Sequence, residues 1–260
     1  MFAPERFAGW MSGHRHVDPR LGHVYRYHSR SDAHSVALCT EILADLVRLC
    51  PVLRSQAERG EVVFGINVKF RWPSTRKSKT LDLALGPPAG PPPDPGLRIP
   101  IARGELADVL ISCEAKTVMT EHGKSQPRIY DELSSSHEIV HQGRPHAIAT
   151  GITVVNIAET FVSPLRQTSR KKLHVSRHRQ PEVAARMIQH LRGLPIREGM
   201  GQVGFDAYAT IVVDCDNQGE VRLWTAPPAP QPAEPDHYET FLDRVSRLYA
   251  ERFSVLPAPR

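Results

Sequence analysis

Two carboxylates and a lysine occupy positions where short apolar segments predict β-strands. Glu114 and Lys116 lie two residues apart at the end of one such segment, and Asp82 interrupts an earlier one. Carboxylates held on rigid strands can bind a divalent cation, which polarises a phosphate and activates a water. A neighbouring lysine can orient that water or offset charge that develops on the phosphate. These residue types therefore predict metal-dependent hydrolysis of phosphodiesters.

The alternation of apolar residues predicts which way the three side chains point. In residues 108–116 the odd positions are apolar, so Glu114 and Lys116 project together from the other face of the strand. In residues 80–85 three leucines face one way and Asp82 faces the other. If the two strands are neighbours, the two carboxylates can share a cation.

A second acid, Asp108, competes with Asp82 as the first metal ligand. It has the same strand parity as Glu114, but six residues of strand separate the two by roughly 20 Å. One cation cannot span that distance unless the strand bulges, so Asp82 is the preferred ligand.

The pattern resembles the PD-(D/E)XK nuclease superfamily, the fold of many restriction enzymes and recombination nucleases. The match rests on Asp82 and on Glu114-Ala115-Lys116, each after an apolar strand, and it covers roughly residues 31–160. A leucine stands before the aspartate, where the superfamily pattern has proline.

The resemblance implies an α/β fold with a restriction-endonuclease-like mixed central sheet flanked by helices. Periodicity adds a C-terminal hairpin and helix to this core. The resemblance also implies a Mg²⁺ ion held by Asp82, Glu114 and the carbonyl of Ala115, with Mn²⁺ as a substitute, while Lys116 positions the attacking water. Mg²⁺ takes oxygen ligands and keeps several waters, so few protein carboxylates are needed.

A helix before the first core strand is common in this superfamily, often with a glutamate that faces the site. Residues 31–50 predict such an amphipathic helix, and it carries Glu41. Two interpretations of Glu41 stay open, a member of the catalytic site or a solvated helix side chain.

A Gln-x-x-x-Tyr pattern follows the lysine, at Gln126 and Tyr130. It is similar to a motif of the exonuclease and recombination-repair branch of the superfamily. Ser125 is expected to cap the next helix, with Pro127 in its first turn. Gln126 or Arg128 could then meet a phosphate at the helix N-terminus. The alternative is ordinary helix-start chemistry.

Composition favours a polyanionic partner. The chain of 260 residues has a net charge of +5. Its length and its 40% of hydrophobic residues are enough for one sizeable α/β domain or a domain with an appendage.

There is no apolar run of membrane-spanning length and no signal-peptide apolar region, so we expect a cytoplasmic protein with no membrane partner. The four scattered cysteines are expected to be buried rather than to bind zinc or form disulfides.

The segment 166–179 contains no acid and is the main candidate for contact with DNA. Such a segment can follow a nucleic-acid backbone through phosphate contacts, although a solvated basic loop has the same composition. A second basic stretch, 71–79, comes just before Asp82 and could serve likewise. The residues predicted to contact DNA are Arg128, Tyr130, Arg170, Lys171, Lys172, Arg177 and Arg179.

Three segments are predicted along the chain. They are a surface arm over residues 1–30, a nuclease core over 31–165, and a basic segment with an α+β extension packed on the core over 166–260. A proline-rich stretch at 86–100 connects the two catalytic strands in sequence. The strand–helix–strand unit that ends in the apolar residues 147–158 predicts parallel pairing.

Four functions fit these observations. A Mg²⁺-dependent DNA endonuclease of restriction or phage defence uses all three chemical groups, and a homodimer would suit double-strand cleavage. Gln126 and Tyr130 would instead indicate an end-processing exonuclease of repair or recombination. The remaining two are a non-cleaving nucleic-acid-binding protein of the same fold, and an α/β protein in which Glu114 and Lys116 form only an ion pair. There is no helicase or methyltransferase motif, so a partner protein of a defence system would supply such activities.

Overall fold

The computed structural model describes residues 1–72, 78–91, 94 and 99–256. Within them, six α-helices and a six-stranded mixed sheet form an α/β protein. No helix in this part of the chain is both long enough and apolar enough to cross a membrane. The helices are α1 (Ala3–Gly13), α2 (Ala33–Leu49), α3 (Pro51–Glu58), α4 (His122–Gly143), α5 (Glu182–Leu191) and α6 (Tyr238–Phe253). The strands are β1 (His16–Val17), β2 (Val24–Tyr25), β3 (Val63–Arg71), β4 (Ser78–Gly86), β5 (Ile111–Val118), β6 (Ile148–Asn156), β7 (Thr160–Phe161), β8 (Ser176–Arg177), β9 (Ala207–Asp214) and β10 (Arg222–Leu223).

The central sheet has the strand order β10-β9-β6-β5-β4-β3. Strands β5, β6 and β9 run parallel to one another, and the remaining pairs are antiparallel. The predicted parallel crossover is confirmed, because α4 joins β5 to its parallel neighbour β6. Every residue of β6 is buried, as expected for a central strand that helices cover on both faces.

Two apolar layers cover the two faces of this sheet. Residues of α2 and α6 pack with Leu83 and Cys113 on one face. Residues of α4 and α5, among them Leu133 and Met187, pack with Val155 on the other. Since side chains alternate along β5, its even-numbered residues face the layer that contains α4.

The N-terminal residues differ from the predicted surface arm. Residues 3–13 form α1, which packs on α2 and fully buries Ala3, Phe7 and Met11. The spacing of four between these side chains is the helical signal. It was missed because the apolar stripe is short and the neighbouring segment is rich in histidine and arginine. Residues 1–30 therefore contribute to the core.

The predicted C-terminal hairpin is confirmed, since β9 pairs antiparallel with β10. The connection between them contains a turn, in which Oδ1 of Asp216 accepts hydrogen bonds from the amides of Gln218 and Gly219. However, β9 also pairs with the central strand β6, and α6 packs on β9. The segment thus completes the main sheet.

One predicted helix cap is wrong. Helix α4 begins at His122, so Ser125 and Pro127 lie within it. The preceding residue, Glu121, has a left-handed φ of 52° that the sequence does not signal.

Candidate active site

Adjacent strands bring the predicted carboxylates and lysine together. Asp82 lies on β4, Glu114 and Lys116 lie on β5, and the two strands pair antiparallel just beyond the aspartate. The amide of Ala115 donates a 2.8 Å hydrogen bond to Oδ2 of Asp82. The first acid is therefore tied directly to the Glu-Ala-Lys segment.

Strand β4 is irregular at Asp82. Leu83 and Leu85 pack in the layer that contains α2, but Leu81 joins the opposite layer, so the three leucines do not share one face as predicted. On the neighbouring strand β3, Asn67 adopts a left-handed φ of 55°. It lies between the two residue pairs of β3 and β4 that flank Asp82. A residue in that conformation interrupts regular alternation, and such strain is frequent at functional sites.

Both oxygens of the Glu114 carboxylate have cationic partners. Nζ of Lys116 lies 2.6 Å from Oε1, and Nζ of Lys79 lies 3.2 Å from Oε2. The hydroxyl of Ser136 on α4 also donates to Oε2, at 3.0 Å. Because only 6% of the Glu114 side chain is exposed, these partners compensate for its loss of hydration.

From Glu114, side chains of alternating charge continue through Lys116 to residues of α4. Its ammonium lies 3.5 Å from Oε2 of Glu132, and Oε1 of Glu132 accepts a 2.9 Å hydrogen bond from Arg128. Sequence reasoning missed Glu132 and Ser136 as members of this cluster. Arg128, Glu132 and Ser136 follow one another at intervals of four residues, which places all three on one face of a helix and is the signal that could have found them.

The two central ionisable groups have shifted pKa values. Burial and the nearby charge of Glu114 raise the pKa of Asp82. Burial alone would lower the pKa of Lys116, but the charge and hydrogen bond of Glu114 outweigh it, and the pKa is raised. The site thus disfavours a second negative charge at Asp82, a condition under which a nearby positive charge is favourable, and it keeps Lys116 protonated.

A cavity of about 450 Å³ opens beside these groups, and Asp82, Ala115 and Lys116 line one wall. The rest of the lining comes from the segment before α2 and the first turns of α2, from the end of β5 with the loop that follows it, from the first turns of α4, and from β7 with the loop after it. Two arginines contribute to it, and Arg166 pairs with Glu121. The polar lining includes Tyr27, Ser29, Ser31, His34, Ser35, Thr117, Ser125, Arg128 and Ser163.

Two predicted acids lie elsewhere. Glu41 is buried against α1, where Oε2 is 2.5 Å from Nε of Arg6, and it is not among the residues that line the cavity. It is thus neither a solvated helix side chain nor part of the cavity wall. Asp108 precedes β5 and pairs with Arg144 at 2.8 Å. Of the two competing acids, Asp82 is the one beside Glu114.

The Gln-x-x-x-Tyr pattern is not brought to the cavity. Gln126 is partly exposed within α4 and, among the described residues, is not part of the cavity lining. The hydroxyl of Tyr130 donates to the carbonyl of Gly193 at 3.0 Å, and its ring packs on His190. Tyr130 therefore helps to join α4 to the end of α5.

The basic segment begins at the cavity and continues over the surface. Arg166 lines the cavity, and the ring of His178 contacts the hydroxyl of Thr120, which also lines it. Arg170 instead donates two hydrogen bonds to the carbonyl of Arg20. Five residues of the second basic stretch, 73–77, lie outside the described residues. The basic side chains exposed in the segment include Lys171, Lys172, Arg177 and Arg179.

Asp82 and Ala115 at the cavity wall, with the neighbouring Glu114, offer oxygen ligands to a hard divalent cation. Asp82, Glu114 and the carbonyl of Ala115 form an all-oxygen set, which Mg²⁺ and Mn²⁺ prefer. In the part of the chain that the structure describes, no group of three or more His, Cys, Asp or Glu side chains could hold a metal ion. A cation bound by the two carboxylates would have to displace an ammonium from Glu114 and keep most of its ligands as water.

Comparisons with known proteins give no match: no family model, no curated protein and no solved structure matches this chain. Function must be inferred from the site itself, because a fold alone does not determine an activity.

Proposed function

We propose that this protein is a divalent-metal-dependent deoxyribonuclease that hydrolyses phosphodiester bonds within DNA. The observation that carries the proposal is the position of Asp82, Glu114 and Lys116 on adjacent strands beside a polar cavity. Mg²⁺, held by the two carboxylates and the Ala115 carbonyl, would supply a Lewis acid for the phosphate and lower the pKa of a bound water.

The strand order supports a restriction-endonuclease-like fold as part of this proposal. Strands β3, β4 and β5 are antiparallel, β4 and β5 carry the acids and the lysine, and parallel β6 follows after a crossover helix. This is the mixed sheet flanked by helices that the resemblance implies. With no matching solved structure, the assignment rests on topology and on the placement of the three side chains.

Lys116 acts as a cation in this proposal. The neighbouring carboxylate raises its pKa, so the ammonium stays charged at neutral pH and cannot accept a proton from water. It can donate hydrogen bonds to the attacking water or to a phosphate oxygen whose negative charge increases in the transition state. Asp82 and Glu114 would bind the cation and hold it in position.

Charge around the cavity supports DNA as the substrate. Arg128 and Arg166 line it, and each is neutralised by a glutamate on α4 or just before it. A DNA phosphate could replace those glutamates as the partner of each guanidinium. The exposed lysines and arginines of residues 171–179 would add sequence-independent contacts with the backbone.

The placement of Tyr130 favours an endonuclease over an end-processing enzyme. Its hydroxyl is engaged by Gly193, away from the cavity, so the motif that suggested exonuclease chemistry gains no support from the geometry. The presence of all three chemical groups argues against a protein that only binds nucleic acid. A role in restriction or phage defence, a homodimer and a partner protein stay predictions.

A cleavage assay with matched lysine variants tests the proposal. Wild type, Lys116→Ala and Lys124→Ala would be incubated with circular and linear DNA in Mg²⁺, Mn²⁺ or chelator. Lys124 is a suitable control because its side chain is 82% exposed and pairs with Glu121. We expect cation-dependent cleavage of both substrates, unchanged in Lys124→Ala and reduced at least about 100-fold in Lys116→Ala. Cleavage of linear DNA alone would indicate an exonuclease, and no cleavage by wild type would contradict the proposal.

A further inference from the structure

We propose that residues 14–31, called here the N-terminal segment, and the basic segment 166–179 form one surface that binds the phosphodiester backbone of DNA beside the cavity. The inference rests on the proposed function and deepens it, since it gives the path on which the substrate lies.

Positive charge is concentrated in these two short segments. The N-terminal segment contains four arginines and one aspartate, and the basic segment contains six lysines and arginines and no acid. Their combined charge of +9 exceeds the net charge of +5 of the whole chain, so the other residues together are net negative. The composition of the chain as a whole therefore understates how basic this part of the protein is.

Hydrogen bonds hold the two segments side by side. The guanidinium of Arg170 donates two hydrogen bonds to the carbonyl of Arg20, at 2.8 and 3.0 Å. Nε2 of His23 lies 2.7 Å from the carbonyl of Ser169. Both contacts use main-chain carbonyls as acceptors, so the guanidinium of Arg20 is not consumed by them. The two basic segments are thus parts of one continuous surface.

Both segments extend to the cavity that Lys116 lines. Ser29 and Ser31 of the N-terminal segment form part of its wall, and so does Arg166, the first residue of the basic segment. A DNA strand that lies on the surface would therefore reach the side chains that act on it in the proposed function.

The buried side chain of Asn217 fixes the two segments where they meet the cavity. Its Oδ1 accepts a 2.6 Å hydrogen bond from the amide of Tyr27, and its Nδ2 donates to the Tyr27 carbonyl at 3.0 Å. The same Nδ2 donates to the carbonyl of Val162, a few residues before the basic segment, at 2.8 Å. The surface is therefore organised before a ligand binds, which lowers the entropic cost of binding.

The exposed cations of this surface form no ion pair with any acid of the described residues. Asp18, the one acid of the two segments, uses Oδ1 to accept hydrogen bonds from the amides of Arg20 and Leu21. By contrast, the exposed Arg222 and Arg247 each pair with a nearby glutamate. The exposed cations without such a partner are Arg15, Arg20, Arg30, Lys171, Lys172, Arg177 and Arg179.

Cations gathered in this way repel one another until a polyanion lies between them. Duplex DNA supplies one negative charge about every 1.7 Å along its axis, and binding it releases the counterions that surround its phosphates. Contacts of this kind position the DNA and do not read its sequence. The surface therefore fits the backbone of DNA of any sequence.

The test is the salt dependence of DNA binding, measured by fluorescence anisotropy of a labelled duplex in chelator, so that no metal-dependent cleavage occurs. The main variant combines Arg15→Gln, Arg20→Gln and Arg30→Gln. A charge-matched control combines Arg59→Gln, Arg222→Gln and Arg247→Gln, which removes three exposed arginines that pair with glutamates elsewhere. A third variant places lysine at positions 15, 20 and 30 and keeps the charge. Circular dichroism would establish that each variant is folded.

We expect wild type to bind DNA of unrelated sequences with equal affinity. The main variant should bind more weakly, and its slope of log K against log salt concentration should be smaller by about 3, because three phosphate contacts are lost. The lysine variant and the charge-matched control should keep the wild-type slope. This pattern would separate a local surface from an effect of net charge.

Equal slopes for the main variant and the charge-matched control, or no binding of DNA by wild type, would overturn the inference. Tighter binding of wild type to phosphatidylserine vesicles than to DNA would also overturn it. None of these outcomes depends on cleavage. The expected slopes without any metal-dependent cleavage would refute the nuclease proposal and leave the binding surface standing, whereas cleavage with unchanged slopes would do the reverse.

Discussion

The ammonium of Lys116 lies 2.6 Å from Oε1 of Glu114, and the lysine forms part of the cavity wall. Pairing of this kind keeps a lysine charged and fixes its direction, while leaving it close to a substrate. In an ordinary surface ion pair both groups are hydrated and the contact contributes little. Here Glu114 is almost fully buried and lies next to Asp82. Two acids and two lysines are thus gathered on one sheet face.

Asp82→Asn should stabilise the protein at neutral pH in the presence of chelator. Burial and Glu114 raise the pKa of Asp82, so the folded protein holds this proton more tightly than the unfolded chain. Such a carboxylate costs stability once the pH exceeds its folded pKa, and the cost disappears as the pH falls and the group is protonated. Thermal unfolding at pH 7 and in acid would show a higher melting temperature for the variant at pH 7 only. Asp108→Asn, outside the cavity, is the control; a lower melting temperature for Asp82→Asn at pH 7 would contradict the account.

Asp206→Asn should destabilise the protein by about 3–5 kcal/mol at neutral pH, because buried arginines lose their counter-charge. Burial alone would raise the pKa of Asp206, but hydrogen bonds from His141 and Arg197 and the charge of Arg252 hold it at about 2. This contribution is complete above the ordinary pKa of 3.8 and is lost as the pH falls towards about 2.

Urea unfolding of wild type and Asp206→Asn at several pH values would measure this. The difference between the two proteins should shrink from pH 5 towards pH 2, whereas the exposed Asp243→Asn should change little at any pH. A difference that stays constant over this range would show that the charge of Asp206 is not the stabilising element.

Tyr130→Phe should leave cleavage unchanged and reduce stability by about 1 kcal/mol, because it removes one hydrogen bond to the Gly193 carbonyl. The rate of DNA cleavage per folded molecule and the urea midpoint would be measured together. A loss of cleavage of tenfold or more, without loss of fold, would restore the Gln-x-x-x-Tyr pattern to the active site.

Arg166→Ala should weaken DNA binding and make it less sensitive to salt. Removing one phosphate contact lowers the slope of log K against log salt concentration by about 1. Arg222→Ala is a matched control, since Arg222 is exposed and also pairs with a glutamate, but it lies at the sheet edge on β10. Equal slopes for wild type and Arg166→Ala would place the DNA path elsewhere.

Much of the site follows from local patterns. Alternation along β5 correctly separated Cys113 and Ala115 from Glu114 and Lys116, because a half-buried strand forces this choice on each residue. The parallel crossover to β6 followed from the length of the connection and from a strand that is apolar on both faces.

What could not be predicted depends on long-range contacts. Lys79 lies three residues before Asp82, so regular alternation would place the two side chains on opposite faces of the sheet. Only the irregularity of β4 brings Lys79 to Glu114. Glu41 has a helical position that could face several partners, and its pairing with Arg6 requires α1 to be in place. Neither relationship has a signal within its own segment.

The most direct measurement is the Mg²⁺-dependent cleavage of supercoiled DNA by Glu114→Gln beside Glu121→Gln. Both changes remove one negative charge near the cavity with the same side-chain volume, but Glu114 is predicted to be a metal ligand and Glu121 a partner of Arg166. The account predicts loss of cleavage of at least about 100-fold in Glu114→Gln, with near wild-type cleavage in Glu121→Gln. Comparable cleavage by wild type and a folded Glu114→Gln would contradict it.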